Sequence, residues 1–159
     1  MDSQNKNKGF SMVEVVIAVL IVGIISGVAI FAFSSLKNKQ VLQNEVNNLI
    51  SILEETRSLT TSGKEALNYG IFFEPNSNRT VQFRGDVYDP NSPTNKEYLL
   101  APSVLILEVN LNGGGTEVVF ERLKGETNDF GSIVLGLVDA TTTKETVEVY
   151  QTGTIKKLN

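Results

Sequence analysis

The sequence predicts an α+β fold in which one long N-terminal helix packs, by its distal half, against a small antiparallel β-sheet domain. Three observations lead there. An apolar run of 19 residues, Val15 to Phe33, is broken only by Gly23, Ser26 and Gly27. After it, Leu42, Val46, Leu49, Ile50 and Leu53 recur at the spacing of one helical face, with Lys37, Asn38, Gln43, Asn44, Asn47, Asn48 and Glu54 on the other. Beyond Gly63 that period gives way to short strand-like runs separated by Gly, Pro, Asn and Asp.

Composition narrows what such a chain can do. Its 159 residues suffice for one domain with a modest core. A formal charge of -4 does not advertise nucleic-acid binding. With no Cys, a disulfide framework, a thiolate metal site and a cysteine nucleophile are excluded. With no His, the usual general base and the commonest metal ligand are also missing. No cofactor or catalytic residue suggests itself, and a structural role is expected instead of an enzymatic one.

The apolar run has the length of a membrane span. At the helical rise it covers about 28 Å, close to the hydrocarbon thickness of a bilayer. Before it stand Met1 to Gly9, short and polar, with Lys6 and Lys8 against Asp2. From the residues alone, two ordinary readings are open. Ala32-Phe33-Ser34 offers a small-x-small site for a cleaved signal peptide, although the run exceeds the usual h-region and an acidic residue sits at its mouth. A plain signal anchor explains the hydrophobicity and leaves Glu14 without a purpose, since a carboxylate in a spanning helix is costly and tends to mark function.

A third reading is a resemblance. Gly9-Phe10-Ser11-Met12-Val13-Glu14 ahead of an uninterrupted apolar helix resembles the class III leader of type IV pilins and pseudopilins. The resemblance implies that a prepilin peptidase cuts between Gly9 and Phe10 and methylates the new amine of Phe10. Glu14 then becomes the fifth residue of the mature chain. It further implies a single-pass inner-membrane protein with its head outside the cytoplasm, later incorporated into a fibre. The implied partners are the peptidase, other pilin or pseudopilin subunits, an inner-membrane assembly platform and membrane lipid.

Electrostatics gives Glu14 a purpose in that setting. A helix entering a fibre with an unpaired carboxylate is disfavoured, and pairing with the Phe10 amine of a neighbouring subunit offsets the cost and sets axial register. The plainer alternative is a carboxylate snorkelling to the interface beside its own amine. Gly23-Ile24-Ile25-Ser26-Gly27 adds a G-x-x-x-G face, so Gly23 and Gly27 are candidate helix-packing positions. No proline interrupts this helix, which is expected to run to Thr60–Gly63, about 75 Å in all.

The expected division is therefore a leader at 1–9, a transmembrane or fibre-core helix at 10–33, its amphipathic continuation at 34–62 and a β-rich head at 63–159. In the head, Tyr69 to Glu74 and Thr80 to Arg84 flank Pro75-Asn76-Ser77-Asn78, a hairpin signal. Asp86 to Lys96, with Pro90 and Pro93, reads as a loop, and Tyr98 to Leu100 as a marginal strand. Val104 to Val109, Glu117 to Leu123, Ser132 to Val138, the alternating segment around Val147 and Val149, and Thr154 to Leu158 complete six or seven strands. The order of these parts, with Glu55-Thr56-Arg57 near the helix end and Tyr150-Gln151-Thr152-Gly153 before the last strand, is similar to the GspH/FimT group of minor pseudopilins and minor pilins. Where that group often has arginines after the glycine, this chain has Thr154-Ile155-Lys156-Lys157.

Other candidate sites have plainer explanations beside them. Asp86, Asp89, Asn91, Asn95 and Glu97 could offer oxygens to calcium, but their spacing lacks the D-x-[DN]-x-[DN]-G pattern and a solvated loop is expected. Lys156 and Lys157, with Arg57 or Lys64 nearby, could touch nucleic-acid phosphates, yet two lysines release few counterions and edge strands carry Lys to block aggregation. Gly113 to Gly115 lacks the Lys and helix of a phosphate loop. Asn78-Arg79-Thr80 is a glycosylation sequon of little weight in bacterial-type export. The expected function is a minor structural subunit of a type IV pilus, competence pilus or type II secretion pseudopilus. The alternative is a single-pass membrane-anchored protein with an extracytoplasmic ligand-binding domain.

Overall fold

The computed structural model describes residues 9–139 and 142–158, without the side chains of residues 29–35 and 64. The expected leader, apart from Gly9, thus lies outside the described residues. The chain forms two compact units, Met1–Lys37 and Asn38–Asn159. Helix α1, Met12–Thr61, belongs to both. No proline precedes Pro75, and Gly23 and Gly27 are its two glycines, so nothing in the sequence interrupts the helical hydrogen-bond ladder. The helix stops at Gly63, whose φ of 66° is the left-handed conformation of a C-terminal cap. Its amide donates to Thr60 O at 3.1 Å.

Among the described residues eight strands follow: β1 Tyr69–Phe73, β2 Arg79–Arg84, β3 Lys96–Leu99, β4 Val104–Leu111, β5 Glu117–Phe120, β6 Gly131–Leu137, β7 Lys144–Val149 and β8 Ile155–Leu158. They form two four-stranded sheets, in the orders β3-β2-β1-β5 and β4-β6-β7-β8, with every pairing antiparallel. Six or seven antiparallel strands were expected, with their grouping into sheets left open. That grouping is non-local: β4 pairs with β6, skipping β5, which adds to the edge of β1. Lys96, expected in the loop, begins β3 opposite Gln82. The strand expected to reach Leu123 stops at Phe120, because Gly125 N turns back to Glu121 O at 2.8 Å.

One hydrophobic cluster joins the distal part of α1 to both sheets. Leu42, Val46, Leu49 and Leu53 meet Ile71 and Phe73 of the first sheet and Ile106, Ile133, Leu135 and Val147 of the second. The helical face continues through Thr56 and Thr60, both fully buried. Their hydroxyls donate to the carbonyls of Ile52 and Thr56, at 2.8 and 3.0 Å, which satisfies them inside the helix. Gln82 Nε2 also donates to Thr56 Oγ1, at 2.6 Å, a polar tie between α1 and β2.

Two further features join the layers. The β1–β2 turn docks on β4: Asn76 N donates to Ile106 O and Ile106 N to Ser77 O, each at 2.8 Å. The register of β4 against β6 shifts beside this contact, between Ile106 and Glu108. On the face of the first sheet away from α1, Tyr88 stacks on Phe72 with ring centroids 4.3 Å apart. Gly70 makes room there, since a Cβ at that position would stand 2.5 Å from Cζ of Phe83.

Candidate functional site

Phe10 and Glu14, two of the residues singled out at the N-terminus, share one groove at the start of α1. Ser11 O accepts the amide of Val15 at 3.2 Å, which starts the helical ladder. Glu14 lies in the first turn, where the positive end of the helix dipole favours a carboxylate. Phe10 is 82% exposed, and the large aliphatic residues after it are half or more exposed through Val28. Phe10, Glu14, Val15, Ala18, Val19 and Val22 line a shallow apolar groove of about 420 Å³. Their spacing is that of a single helical face. Ala18 makes the hollow, a small side chain among β-branched neighbours, and sequence reading did not single it out. The signal was there, as the one small residue among bulky aliphatics between Val15 and Val22.

A Cβ added at Gly23 or Gly27 would meet nothing within 4 Å, so both glycines face open space in the single chain. Ser26 returns its hydroxyl to Val22 O at 2.7 Å. Among the described residues no helix is long and apolar enough to cross a membrane. The apolar run of the sequence continues through residues 29–33, whose side chains are not among those described.

At the other end of α1, Arg57 is engaged inside the head. Its Nε donates to Gly125 O at 3.0 Å and its Nη2 to Thr152 O at 3.2 Å. The guanidinium thus ties the helix to the Glu121–Thr127 turn and to the β7–β8 hairpin, while Thr127 N donates to Gln151 O at 2.9 Å. The arginine near the helix end and the Tyr150–Gly153 turn, noted separately in the sequence, are partners in space.

Lys156 and Lys157 are consecutive residues of β8. Alternation along β8 puts them on opposite faces. Lys157 pairs with Glu145 at 3.0 Å. Lys156 stands opposite Glu148 and 5.9 Å from the ring centre of Tyr150. A hydrogen bond to the Glu148 carboxylate pushes the Tyr150 phenol above its ordinary pKa. The side chain of Lys64 is outside the described residues.

The carboxylates Asp86, Asp89 and Glu97 are each engaged by protein partners, while Asn95 Oδ1 is buried without a hydrogen-bond partner. Asp86 accepts from Asn68 Nδ2 at 2.6 Å, Asp89 Oδ1 from Asn91 N at 2.9 Å, and Asp89 O from Asn95 Nδ2 at 2.7 Å. Glu97 pairs with Arg79, whose pKa it raises with help from Tyr88. Among the described residues no cluster of acidic side chains could hold a metal ion. Gly113 and Gly114 have positive φ and close the β4–β5 turn, with Gly114 N on Leu111 O at 2.9 Å. Asn78 of the sequon spends its side-chain amide on Leu100 O at 2.9 Å.

Comparison with known proteins bears on the N-terminal segment and on the fold. Residues 4–30 match the prokaryotic N-terminal methylation motif. No curated protein is similar to the chain in sequence. Among solved structures, the type IV minor pilin FimU of Pseudomonas aeruginosa is similar at a TM-score of 0.54 and 13% identity, over 74% of this chain and 93% of that one. The minor pseudopilin EpsH of the Vibrio cholerae type II secretion system is similar at 0.52 and 12%, over 76% and 94%. At such identities the likeness is one of fold. The chain carries an N-terminal methylation motif of the prepilin type on a fold shared with minor pilins and minor pseudopilins.

Proposed function

We propose that this chain is a minor structural subunit of a type IV pilus, competence pilus or type II secretion pseudopilus. The observation that carries the reading is the methylation motif over residues 4–30, which runs directly into the exposed apolar face of α1. A prepilin peptidase removes residues 1–9 and methylates the amine of Phe10. The segment 10–33 anchors the subunit in the inner membrane, with the head outside the cytoplasm, and later enters the fibre core.

Several features support this mechanism. Phe10 and Glu14 share the stripe that bears the Ala18 hollow, so a cationic amine of one subunit can approach the carboxylate of the next along an apolar seam. Gly23 and Gly27 leave a flat place for a second helix. Chemical catalysis has no part in the reading. Mass spectrometry of the N-terminus from cells that hold the peptidase tests it. N-methyl-Phe10 is expected, and an intact Met1 or a cut after Ser34 would sink the proposal.

A further inference from the structure

The β4–β5 turn holds the one Asn-Gly pair of the sequence, Asn112-Gly113. Both residues are exposed, and Gly113 has φ of 84°. We propose that Asn112 is a self-modification site. Its side-chain amide is lost as it cyclises onto the Gly113 nitrogen, and the change releases the turn from the segment before β6.

Ring closure needs a backbone nitrogen that is free to attack and a carbon that it can reach. Among the described residues no acceptor takes the Gly113 amide, whereas the amides on either side of it, of Asn112 and Gly114, donate to Phe130 O and Leu111 O. Glycine has no Cβ to shield the nitrogen, and the space where one would stand is open to 4 Å. The nitrogen and Asn112 Cγ belong to adjacent residues, so their encounter is intramolecular. The Asn112 side chain is held by one bond, Nδ2 to Asn128 O at 3.0 Å, at the surface where water can replace it.

Other asparagines of the head lack this combination. The amide after Asn91 is taken by Asp89 O, that after Asn78 by Ser77 Oγ and that after Asn128 by Thr127 Oγ1. After Asn76 the Ser77 amide has no acceptor among the described residues. Ser77 carries a Cβ, however, and Asn76 N and Ser77 O are both bonded to Ile106.

The chemistry needs only water. The Gly113 amide gives its proton to solvent and its nitrogen attacks Asn112 Cγ. The new C–N bond closes a succinimide, and Nδ2 takes up a proton and leaves as ammonia. Water then opens the ring at either carbonyl. Attack at Cγ gives aspartate, and attack at the backbone carbonyl gives isoaspartate, with the chain running through the side-chain carbon. Nothing is oxidised or reduced. Either product puts a carboxylate, which only accepts hydrogen bonds, where Asn112 Nδ2 donated to the Asn128 carbonyl. The tie between the turn and residues 127–130 is then broken. This site stands apart from the fibre reading, and neither depends on the other.

The test incubates the full chain in detergent micelles at neutral and mildly alkaline pH. Peptide mapping by mass spectrometry follows each asparagine, and an isoaspartyl methyltransferase with labelled S-adenosylmethionine marks the rearranged product. Asn112 should convert first, roughly tenfold faster than Asn76 or Asn91. The rate should rise with hydroxide, because the nitrogen must lose its proton, and the label should map to position 112. Asn112→Gln keeps a side-chain donor but would have to close a larger ring, so it should abolish the label. Hydrogen exchange of residues 127–131 should quicken several-fold in the aged chain and in Asn112→Asp, and stay slow in Asn112→Gln after the same incubation. Conversion at Asn112 no faster than at Asn91, conversion without isoaspartate, or a label that survives Asn112→Gln would each overturn the self-modification. Unchanged exchange in the fully converted chain would overturn the release of the turn.

Discussion

Arg57 of α1 and Gly153 of the last hairpin are packed against each other across a single carbonyl, that of Gly125. Arg57 Nε donates to this oxygen at 3.0 Å. A Cβ on Gly153 would stand 1.7 Å from the same oxygen and 2.6 Å from Arg57 Nε. Gly153 has φ of 75°, so both its backbone and its lack of a side chain are required. The contact closes the head, because it joins three segments that are remote in sequence.

Gly153→Ala should therefore be among the most damaging small substitutions in the head. Left-handed backbone and steric overlap together suggest a loss of roughly 2–4 kcal/mol. Arg57→Ala leaves two carbonyls without their donor and should cost about 1.5–3 kcal/mol. Arg57→Lys should fall between, since an ammonium keeps the charge and loses the fork. Urea unfolding of each variant and of the double mutant measures this. Because both residues serve one contact, their losses should add to less than their sum. Full additivity would mean that the two act independently.

How far this arrangement could be read in advance depends on the range of the interaction that decides it. The apolar face Leu42, Val46, Leu49 and Leu53 was legible because helical periodicity is local. Its continuation through Thr56 and Thr60 was not, since a threonine announces neither burial nor the back-bond to the preceding turn that permits it. Strand positions were legible to within a few residues from alternation and turn residues. Their division into two sheets was not, because the choice of β6 over β5 as the partner of β4 is made by packing between distant segments. Gly9, Phe10 and Glu14 stood out through their fixed spacing. The hollow at Ala18 needed the helix to be seen as a surface, and the partners of Arg57 needed the whole fold.

The tie between Gln82 and Thr56 should be specific to oxygen chemistry. Gln82 is buried, and its amide donates to the Thr56 hydroxyl at 2.6 Å. Thr56→Val keeps the shape and strands that amide, at a cost of about 1–3 kcal/mol. Thr56→Ser should recover most of it. Combining Thr56→Val with Gln82→Leu should cost less than Thr56→Val alone, because no orphaned donor remains. A double mutant less stable than Thr56→Val, by chemical denaturation, would show that the hydroxyl is not what Gln82 needs.

Acid should loosen the second sheet in part through Glu108. The Lys144 ammonium, 2.9 Å away, hydrogen-bonds to its carboxylate and lowers its pKa from the ordinary 4.5. A carboxylate with a depressed folded pKa adds stability that is present above the unfolded value and lost as pH falls through the folded one. The loss therefore falls below pH 4.5, and it is small because the pair is exposed. Lys144→Gln should move the Glu108 titration, followed by carboxyl NMR, back up toward 4.5. An unmoved titration would assign the shift to another group.

Glu14 offers the sharpest test of the fibre reading. Glu14→Val should leave membrane insertion intact or improved, because it removes a charge the bilayer disfavours. Cleavage after Gly9 should survive too, since the glycine is expected to set the cut. Incorporation into fibres should nevertheless fall. The methylated amine of Phe10 would enter the apolar stripe beside Ala18 without an anion, and an unpaired buried charge costs about 3–5 kcal/mol. Glu14→Asp should be intermediate, because the shorter side chain keeps its charge and loses reach. Recovery of each variant in sheared fibres, from cells expressing all of them at matched levels, measures the effect. Equal incorporation of wild type and Glu14→Val would remove Glu14 as the register element in the body of the fibre. A subunit at the fibre tip would give the same result, having no neighbour above it whose amine needs the carboxylate. Acetylating the amine of Phe10 separates the two explanations: a tip subunit still needs that amine for the Glu14 of the subunit below, and it should then be lost from the fibre.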